Sequence, residues 1–331
     1  MNKKASLSII IPTYNCVSLI GRHIDNAMSW ADLADEIIVV DSRSNDGTFE
    51  LIKEKLRHPK LRLIQRDRGL YESWNEGIGE TQGKWIYIST VGDTMERAHL
   101  IKLMQMGEST QADVVISPFK PVNQIGKPYP ESGFTNAGIY EQLSHLGGCV
   151  IEPPAAFCFA FQNSKPNALL GSCASDLFRG EFLRARPFPT NYSTHGDTAW
   201  TLRHSSEMRI CLVPISGSVF CIHPKHANDE IFTIGKVLDE IFRVELINAL
   251  KNLNSKSTGI SFRKDESIKL RKIHRCRRKL RKRGKVNKSI LGKWIILTLK
   301  YFYLKIYLTV SDINQKRRLN NYIFSVPYDL N

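Results

Sequence analysis

The stretch WIYISTVGDTM, residues 85–95, has the pattern of a buried strand that runs into a turn and ends in one carboxylate, Asp93. Its apolar run is rich in β-branched and aromatic residues and is short, as is typical of strands. Four similar runs occur in the first half of the chain, at 7–11, 36–40, 61–64 and 113–117. Segments with helical periodicity lie between them, at 17–31, 47–56 and 70–81. Strands alternating with helices need crossover connections, so the sequence predicts an α/β fold with a mainly parallel open sheet and helices on both faces.

Polar side chains follow several of these strands at the point where each strand ends. In open α/β sheets the ligand crevice lies beyond the carboxyl ends of the strands. The residues found there are Thr13, Tyr14, Asn15, Asp41, Arg66, Asp67 and Asp93. They are therefore candidate site residues on position alone.

The pattern loosens between about residues 120 and 190, where the sequence is rich in Pro, Gly and Asn. This region is either a lid or acceptor-binding segment, or a set of long irregular connections. Regular patterns return as a helix start at 195–205, strands at 209–214 and 217–223, and a helix at 229–253.

The positive charge of the chain is concentrated at its C-terminal end. The 331 residues carry a formal net charge of +15, with 42% hydrophobic and 24% charged residues. Residues 262–331 hold 20 Lys and Arg against 4 Asp and Glu, so the rest of the chain is close to neutral. Such a charge run indicates a separate polybasic segment rather than a property of the fold.

This C-terminal segment has two parts. Residues 269–288 contain no acid, and residues 289–310 are apolar and aromatic but are interrupted by three lysines. A membrane-spanning helix needs about 20 nearly uninterrupted apolar residues. The pattern favours a basic amphipathic helical extension that lies at an anionic membrane surface.

The seven cysteines are scattered and form no CxxC pair, which is typical of reduced thiols in a cytosolic protein. The apolar run at the N-terminus is too short for a secretory signal. We therefore expect the body in the cytoplasm, peripherally associated with the inner face of the plasma membrane.

Three stretches in order resemble the family 2 inverting glycosyltransferases of the bacterial polysaccharide-assembly branch. They are LSIIIPTYN (7–15), EIIVVDSRSNDGT (36–48) and RDRGLYESWNEGIGETQGKWIYISTVGD (66–93). The resemblance covers about residues 5–225 and implies the nucleotide-sugar-binding fold called GT-A. It also implies a donor that is a nucleoside-diphosphate sugar, most commonly of UDP, with GDP and dTDP as alternatives. In the second motif Ser42 and Arg43 replace the usual second acid and glycine.

The resemblance assigns the donor site to residues that match the family's motifs. The implied nucleotide-sugar-binding residues are Pro12, Thr13, Tyr14, Asn15, Asp41, Arg66, Gly69, Asn75, Gly92 and Asp93. Asp41 would bind the nucleotide base; the alternative is a loop carboxylate that caps the next helix. We favour the ligand role because Asp46 already stands at the N-cap position before that helix.

The family usually has a D-x-D-like motif at the tip of the strand that ends at Asp93, and its last carboxylate holds Mg²⁺ or Mn²⁺. Here Asp93 is the only acid of that motif. One carboxylate can suffice for such a cation when phosphate and water supply the other ligands. The resemblance thus implies a divalent cation at Asp93, with His223 as a second candidate ligand. A core histidine is the alternative for His223.

The family's catalytic base is an aspartate far downstream, and the matching residue here is Asp197 in STHGDTAW. The alternative is a helix N-cap. The segment GSCASDLFRGEFL (171–183) resembles the acceptor side of the family, so Asp176 and Arg179 are candidate acceptor-binding residues. His195, two residues before Asp197, is a further acceptor-side candidate that would assist or replace the base; the alternative is a surface histidine.

The leading hypothesis is an inverting glycosyltransferase acting on a glycan hydroxyl, with a polyprenyl-diphosphate-linked acceptor, in bacterial surface polysaccharide synthesis. It divides the chain into a GT-A domain at 1–225 (nucleotide half 1–118, acceptor half 119–225), a helical connector at 226–261 and the membrane-associating tail at 262–331. The alternative is a protein that binds nucleic acid or an anionic surface through the tail, with a non-catalytic body. The near-neutral body argues against nucleic acid. The sequence leaves the oligomeric state open.

Overall fold

The computed structural model describes residues 6–123, 125–129, 149–153, 156–157, 160, 170–222 and 231–255. Eight strands form the main sheet, in the order β3-β2-β1-β4-β9-β6-β10-β8. They are β1 (Leu7–Thr13), β2 (Glu36–Asp41), β3 (Leu61–Gln65), β4 (Trp85–Ile88), β6 (Val114–Ile116), β8 (Cys149–Ile151), β9 (Leu177–Arg179) and β10 (Ile210–Leu212). The pairs β1–β2, β2–β3, β1–β4 and β6–β10 are parallel. Strand β9 is antiparallel to both β4 and β6, and β8 is antiparallel to β10.

A second, three-stranded sheet has the order β5-β11-β7. Its strands are β5 (Thr94–Met95), β7 (Phe119–Asn123) and β11 (Ser218–Ile222). Strand β11 runs parallel to β7 and antiparallel to β5. Because β5 directly follows the turn at Asp93, this small sheet fixes the chain just beyond the tip of β4.

Seven α-helices lie in the described part of the chain. They are α1 (Val17–Met28), α2 (Thr48–Lys55), α3 (Leu70–Glu80), α4 (Arg97–Thr110), α5 (Gly180–Arg184), α6 (Gly196–His204) and α7 (Ile231–Ser255). Within the described residues, no helix combines the length and apolar character needed to cross a membrane.

Strand β1 shows why the sheet is covered on both faces. Its side chains alternate between two apolar clusters: Ile10 packs with the α3 side, while Ile9 and Ile11 pack with the α1 side. All three are at most 1% exposed. An uninterrupted apolar strand is what a parallel sheet with helices on both faces requires.

Helix α3 lies unusually close to the sheet because of Gly77. A Cβ built at Gly77 would lie 2.6 Å from Cγ2 of Ile10 and 3.1 Å from Cγ2 of Val40. The glycine therefore permits close packing of the helix on the sheet.

The five strands predicted in the first half are confirmed, as is the α/β class with a large, mostly parallel sheet. The antiparallel β9 was not predicted, since it lies within the loosely patterned region after residue 120. The predicted tail at 262–331 lies outside the described residues.

Candidate functional site

The carboxyl ends of β1 and β2 meet at Asp41, which is fully buried. Oδ1 of Asp41 accepts hydrogen bonds from Oγ1 of Thr13 (2.9 Å) and Oγ of Ser44 (2.6 Å). Oδ2 accepts from the main-chain N–H of Ser44 (2.9 Å) and from Nε2 of Gln65 (3.2 Å). These bonds fix the loop after β2, so Asp41 has a clear positional role at this edge of the sheet.

The loops after β1 and β2 are also hydrogen-bonded to each other. The main-chain N–H of Asn15 donates to Oγ of Ser44 (2.9 Å), and that of Asn45 donates to Oδ1 of Asn15 (3.0 Å). Asn15 adopts a positive φ of 43°, a conformation that asparagine tolerates better than most residues. These loops, which we call the preformed edge, are thus fixed by protein hydrogen bonds alone.

Asp46 joins two helix starts within this edge. Its carboxylate accepts hydrogen bonds from the main-chain N–H of Val17, at the start of α1 (3.0 Å), and of Thr48, at the start of α2 (3.0 Å). The N-cap residue of α2 is Gly47, one position later than the sequence indicated. The carboxylate of Asp46 nevertheless accepts the first N–H of both helices, which is a capping role.

Two exposed side chains flank the preformed edge. Tyr14 is 42% exposed, and the guanidinium of Arg68 lies 4.6 Å from the centre of its ring. Pro12 is half-buried within β1. A flat aromatic surface beside a cation is suited to a nucleotide, because the ring can stack on a base and the cation can face phosphate.

Asp93 lies at the tip of β4 and is 5% exposed. Its Oδ1 accepts a hydrogen bond from the main-chain N–H of Cys221 on β11 (2.8 Å), and its Oδ2 accepts from Oγ1 of Thr90. The turn needs Gly92, whose φ of +102° is unfavourable for other residues. Burial raises the pKa of Asp93 to about 7.

The main chain at Asp93 is also held from the α1 side. Nδ1 of His23 lies 3.2 Å from the carbonyl oxygen of Asp93, and Nε2 lies 3.1 Å from Oγ of Ser89. Burial lowers the pKa of His23 to about 4, so the ring is neutral. A neutral imidazole that donates from Nδ1 and accepts at Nε2 satisfies both contacts.

Asp197 lies in the first turn of α6 and is 9% exposed. Its Oδ1 accepts a hydrogen bond from the main-chain N–H of Thr198 (2.6 Å), and the hydroxyl of Tyr71 on α3 lies beside the carboxylate. Burial raises the pKa of Asp197 to about 6. The residue at the N-cap position is His195, so the structure does not use Asp197 as the cap. A buried carboxylate with this pKa is ionised at pH 7 and can accept a proton.

Comparison with known proteins shows which family model the sequence matches. Residues 8–166 match the family model described as glycosyl transferase family 2. Residues 8–166 therefore correspond to a family 2 glycosyltransferase domain. This confirms the resemblance carried by the three motifs.

The glycosyltransferase domain is similar to parts of several bacterial proteins. It is 27% identical over 129 residues to the succinoglycan biosynthesis protein ExoO of Rhizobium meliloti (strain 1021), covering 38% of this chain and 37% of that protein. It is 25% identical over 128 residues to the poly(ribitol-phosphate) beta-glucosyltransferase of Bacillus spizizenii, covering 37% and 20%. The matched segment thus spans well under two thirds of either relative.

The fold is of the GT-A type, as the resemblance implied. The structure of S. aureus TarS 1–349 in complex with UDP-GlcNAc superimposes with a TM-score of 0.54 at 15% identity, covering 97% of this chain and 92% of that chain. The same segment in complex with UDP gives a TM-score of 0.52.

This family generally uses divalent cations, so we tested whether the residues around Asp93 fit one. Both oxygens of Asp93 already accept protein hydrogen bonds, and the group is almost fully buried. Among the described residues, no cluster of three or more His, Cys, Asp or Glu side chains could hold a metal ion. His223, the second predicted ligand, lies outside the described residues. The described residues alone do not form a cation site, because the one carboxylate there is buried and already accepts two protein hydrogen bonds. Phosphate and water would have to supply most of the ligands.

Asp176 lies where β9 begins, next to the carboxyl end of β6, and is fully buried. Its Oδ1 is 3.4 Å from the main-chain N of Ser117 and 3.2 Å from Oγ of Ser175. Among the residues that the structure describes, Oδ2 has no hydrogen-bond partner. Burial, together with the nearby charge of Asp197, raises its pKa well above the usual range. The structure therefore brings Asp176 close to Asp197.

The other two acceptor candidates lie in different surroundings. Arg179 lies at the opposite end of β9, where its Nε and Nη2 donate to the carbonyl oxygen of Ala112 (3.1 and 2.9 Å) and its guanidinium stacks 5.0 Å from the Trp85 ring centre. Because β9 is antiparallel to β4, Arg179 lies opposite Trp85 at the start of β4, away from the edge that holds Asp93. His195 directly precedes α6 and is half-buried.

Three donor-site candidates lie on or before α3. Nε of Arg66 lies 3.3 Å from Glu76, and Gly69 is the N-cap residue. The side chain of Asn75 forms two hydrogen bonds with the main chain of Phe188: Nδ2 donates to its carbonyl and Oδ1 accepts from its N–H, both at 2.8 Å. The structure thus shows Asn75 joining α3 to the segment before α6.

Sequence reasoning missed Tyr71, Ser44 and Thr90, which hold Asp197, Asp41 and Asp93 respectively. All three stand inside or beside the quoted motifs. For Ser44 and Thr90, the short spacing from Asp41 and Asp93 was the available signal, but hydroxyl groups in loops have many local uses. Tyr71 lies on α3, far from Asp197 in the sequence, so no local signal connected the two.

Proposed function

We propose that this chain is an inverting glycosyltransferase that moves a sugar from a nucleoside-diphosphate donor to a hydroxyl of a glycan acceptor. Asp197 is the general base. The observation that carries the proposal is the buried carboxylate of Asp197, with a pKa of about 6, at the start of α6. Helix α6 follows residues 8–166, which match the family 2 model.

UDP is the proposed nucleotide of the donor. TarS, whose fold is similar, has been solved with UDP-GlcNAc and with UDP. The proposed nucleotide-binding surface is the preformed edge of Thr13, Asn15 and Asp41, flanked by Tyr14 and Arg68. Hydrogen-bond donors and acceptors held in loops that are already rigid bind a nucleotide with a smaller loss of conformational entropy.

The proposed reaction is a single displacement. The acceptor oxygen attacks the anomeric carbon while its proton passes to Asp197, and the bond from that carbon to the diphosphate oxygen breaks. The nucleoside diphosphate leaves with the electron pair, and the configuration is inverted. Base catalysis of this kind contributes about 10²–10⁴-fold to the rate. Arg66 and Arg68 are the proposed partners for the charge that develops on the leaving group.

The wider context is also part of the proposal. We place the reaction in bacterial surface polysaccharide synthesis, on a lipid-linked acceptor at the cytoplasmic face of the membrane. The support for the membrane is the basic and aromatic sequence of residues 262–331. A divalent cation at Asp93 and His223 remains a prediction, and no step above depends on it.

The test is a comparison of Asp197→Asn with the wild type. UDP, GDP and dTDP binding is measured by calorimetry, with Mn²⁺ or EDTA, and nucleotide release is measured from UDP-GlcNAc and other UDP-sugars. We expect Asp197→Asn to bind nucleotide as the wild type does but to lose at least about 100-fold in turnover. Asp25→Asn, which changes an exposed carboxylate on α1, is the matched control. Full turnover in Asp197→Asn would remove the base assignment, and no nucleotide binding by folded wild type would remove the donor site.

A further inference from the structure

The hydroxyl of Tyr71 has one proton and two acceptors within reach. The ring is 3% exposed and packs between Trp74 (ring centres 5.1 Å apart) and Phe188 (5.7 Å). A Cβ on Gly196 would lie 2.6 Å from Cδ2 and Cε2 of Tyr71, so the ring rests directly against the first residue of α6. Because this packing fixes the ring, only the O–H bond of Tyr71 can rotate.

The groups around that hydroxyl all belong to residues 194–197. Oη of Tyr71 lies 3.1 Å from the carbonyl oxygen of Thr194. The carboxylate of Asp197 also lies beside this hydroxyl. In the structure the single O–H donates to the carbonyl of Thr194, and the carboxylate of Asp197 is the competing acceptor for the same proton.

We propose that Tyr71 is a positioning residue whose hydroxyl follows the protonation state of Asp197. When Asp197 is ionised, the O–H of Tyr71 donates to the carboxylate and holds it in place. When Asp197 has taken a proton, the O–H turns to the carbonyl of Thr194. This inference rests on the proposed role of Asp197 as base.

The proton balance of the reaction is unchanged by this motion. The acceptor's proton ends on Asp197, and Tyr71 keeps its own proton throughout, since burial raises its pKa well above the usual range. A charged acceptor attracts a hydroxyl more strongly than a carbonyl does, so ionisation of Asp197 decides the direction of the bond. The carbonyl of Thr194 then provides a partner for the released hydroxyl, which would otherwise be a buried donor without one.

Other titratable groups face Asp197 from the segment before β9. They are Cys173 and Asp176, and the pKa of each is raised well above its usual value by burial and by the charge of Asp197. Burial thus favours the neutral form of both groups. On its own segment His195 stands two residues earlier, and burial lowers its pKa.

Carboxyl ¹³C NMR of the full-length chain labelled at aspartate tests the proposal without any substrate. The Asp197 signal is identified by its absence in Asp197→Asn. We expect it to titrate near pH 6 in the wild type and about 1 pH unit higher in Tyr71→Phe, because one hydrogen bond to the ionised form is lost. Tyr87→Phe is the matched control, since its buried hydroxyl donates to the carbonyl of Ala174 (3.1 Å). We expect it to leave the Asp197 signal unchanged.

A second measurement titrates the wild-type protein itself. In wild type labelled at the tyrosine ζ carbon, we expect the Tyr71 signal to shift with the same midpoint as Asp197. An unchanged Asp197 midpoint in folded Tyr71→Phe, or a Tyr71 signal that is flat through pH 6, overturns the inference. Full UDP-sugar turnover in Asp197→Asn would instead overturn the proposed function, so the two failures are distinct.

Discussion

Replacing Asp93 with asparagine should stabilise the protein at high pH and have little effect at low pH. The carboxylate is almost fully buried, and burial raises its pKa from 3.8 to about 7. A group whose pKa is higher in the folded state favours folding while it is protonated. That contribution is fully present below pH 3.8 and is lost as the pH rises to about 7.

The size of the effect follows from the two pKa values. The difference between 3.8 and about 7 corresponds to about 4 kcal/mol in the free energy of unfolding. Asparagine keeps Oδ1 as the acceptor for the N–H of Cys221, and its amide can donate to the hydroxyl oxygen of Thr90. We therefore expect Asp93→Asn to exceed the wild type by about 2–4 kcal/mol at pH 8 and to match it within about 1 kcal/mol near pH 4.

Urea unfolding followed by tryptophan fluorescence measures this difference at each pH. Other carboxylates titrate in the same range, but they are common to both proteins and cancel in the comparison. Asp67→Asn, at an exposed site, controls for the loss of one negative charge. If the difference in unfolding free energy between Asp93→Asn and the wild type does not change with pH, ionisation of Asp93 does not destabilise the folded state. If Mn²⁺ then stabilised the wild type but not Asp93→Asn, Asp93 would hold the predicted cation.

Three further changes test the packing around the site, each by its free energy of unfolding. Asn75→Ala should lose about 2–4 kcal/mol, because it leaves the N–H and carbonyl of Phe188 without partners; a loss below about 0.5 kcal/mol would contradict this. Asp46→Ala should lose about 1–2 kcal/mol, because two helix starts share its carboxylate, and Asp67→Asn again serves as the control. Gly107→Ala should lose about 1–3 kcal/mol, since its Cβ would lie 2.5 Å from the ring of Trp85, whereas Gly79→Ala, with no atom within 4 Å of its Cβ, should not be destabilising.

The parallel half of the fold could be predicted because its signals are local. Each strand from β1 to β4 is an apolar run bounded by polar residues, and crossover connections then dictate parallel pairing. Helix α4 has a weaker signal, because its buried His99 and Gly107 interrupt the apolar face. The antiparallel β9 is three residues long. Its place between β4 and β6 depends on pairing across more than 60 residues of sequence, which local periodicity does not record.

The acids of the candidate site could be predicted from the sequence, whereas the hydroxyl groups that contact them could not. Asp41 and Asp93 follow strands, so sheet geometry alone brings them to one edge. The partner of each acid comes from a loop or from a distant strand, as with Cys221, which meets Asp93 across 128 positions. The assignment of Asn75 to the donor site has yet to be tested, but its side chain already has two main-chain partners.

Helix α3 is the element that joins the two halves of the proposed reaction. On one side, Oγ of Ser73 lies 2.9 Å from Oγ of Ser42, in the loop fixed by Asp41. On the other side, Tyr71 meets Asp197. Both contacts lie within the first turn of one helix, and close packing at Gly77 holds that helix against the sheet. The distance between the proposed nucleotide edge and the proposed base is therefore set by a single rigid element, which is what an in-line displacement requires of groups acting on opposite faces of one carbon.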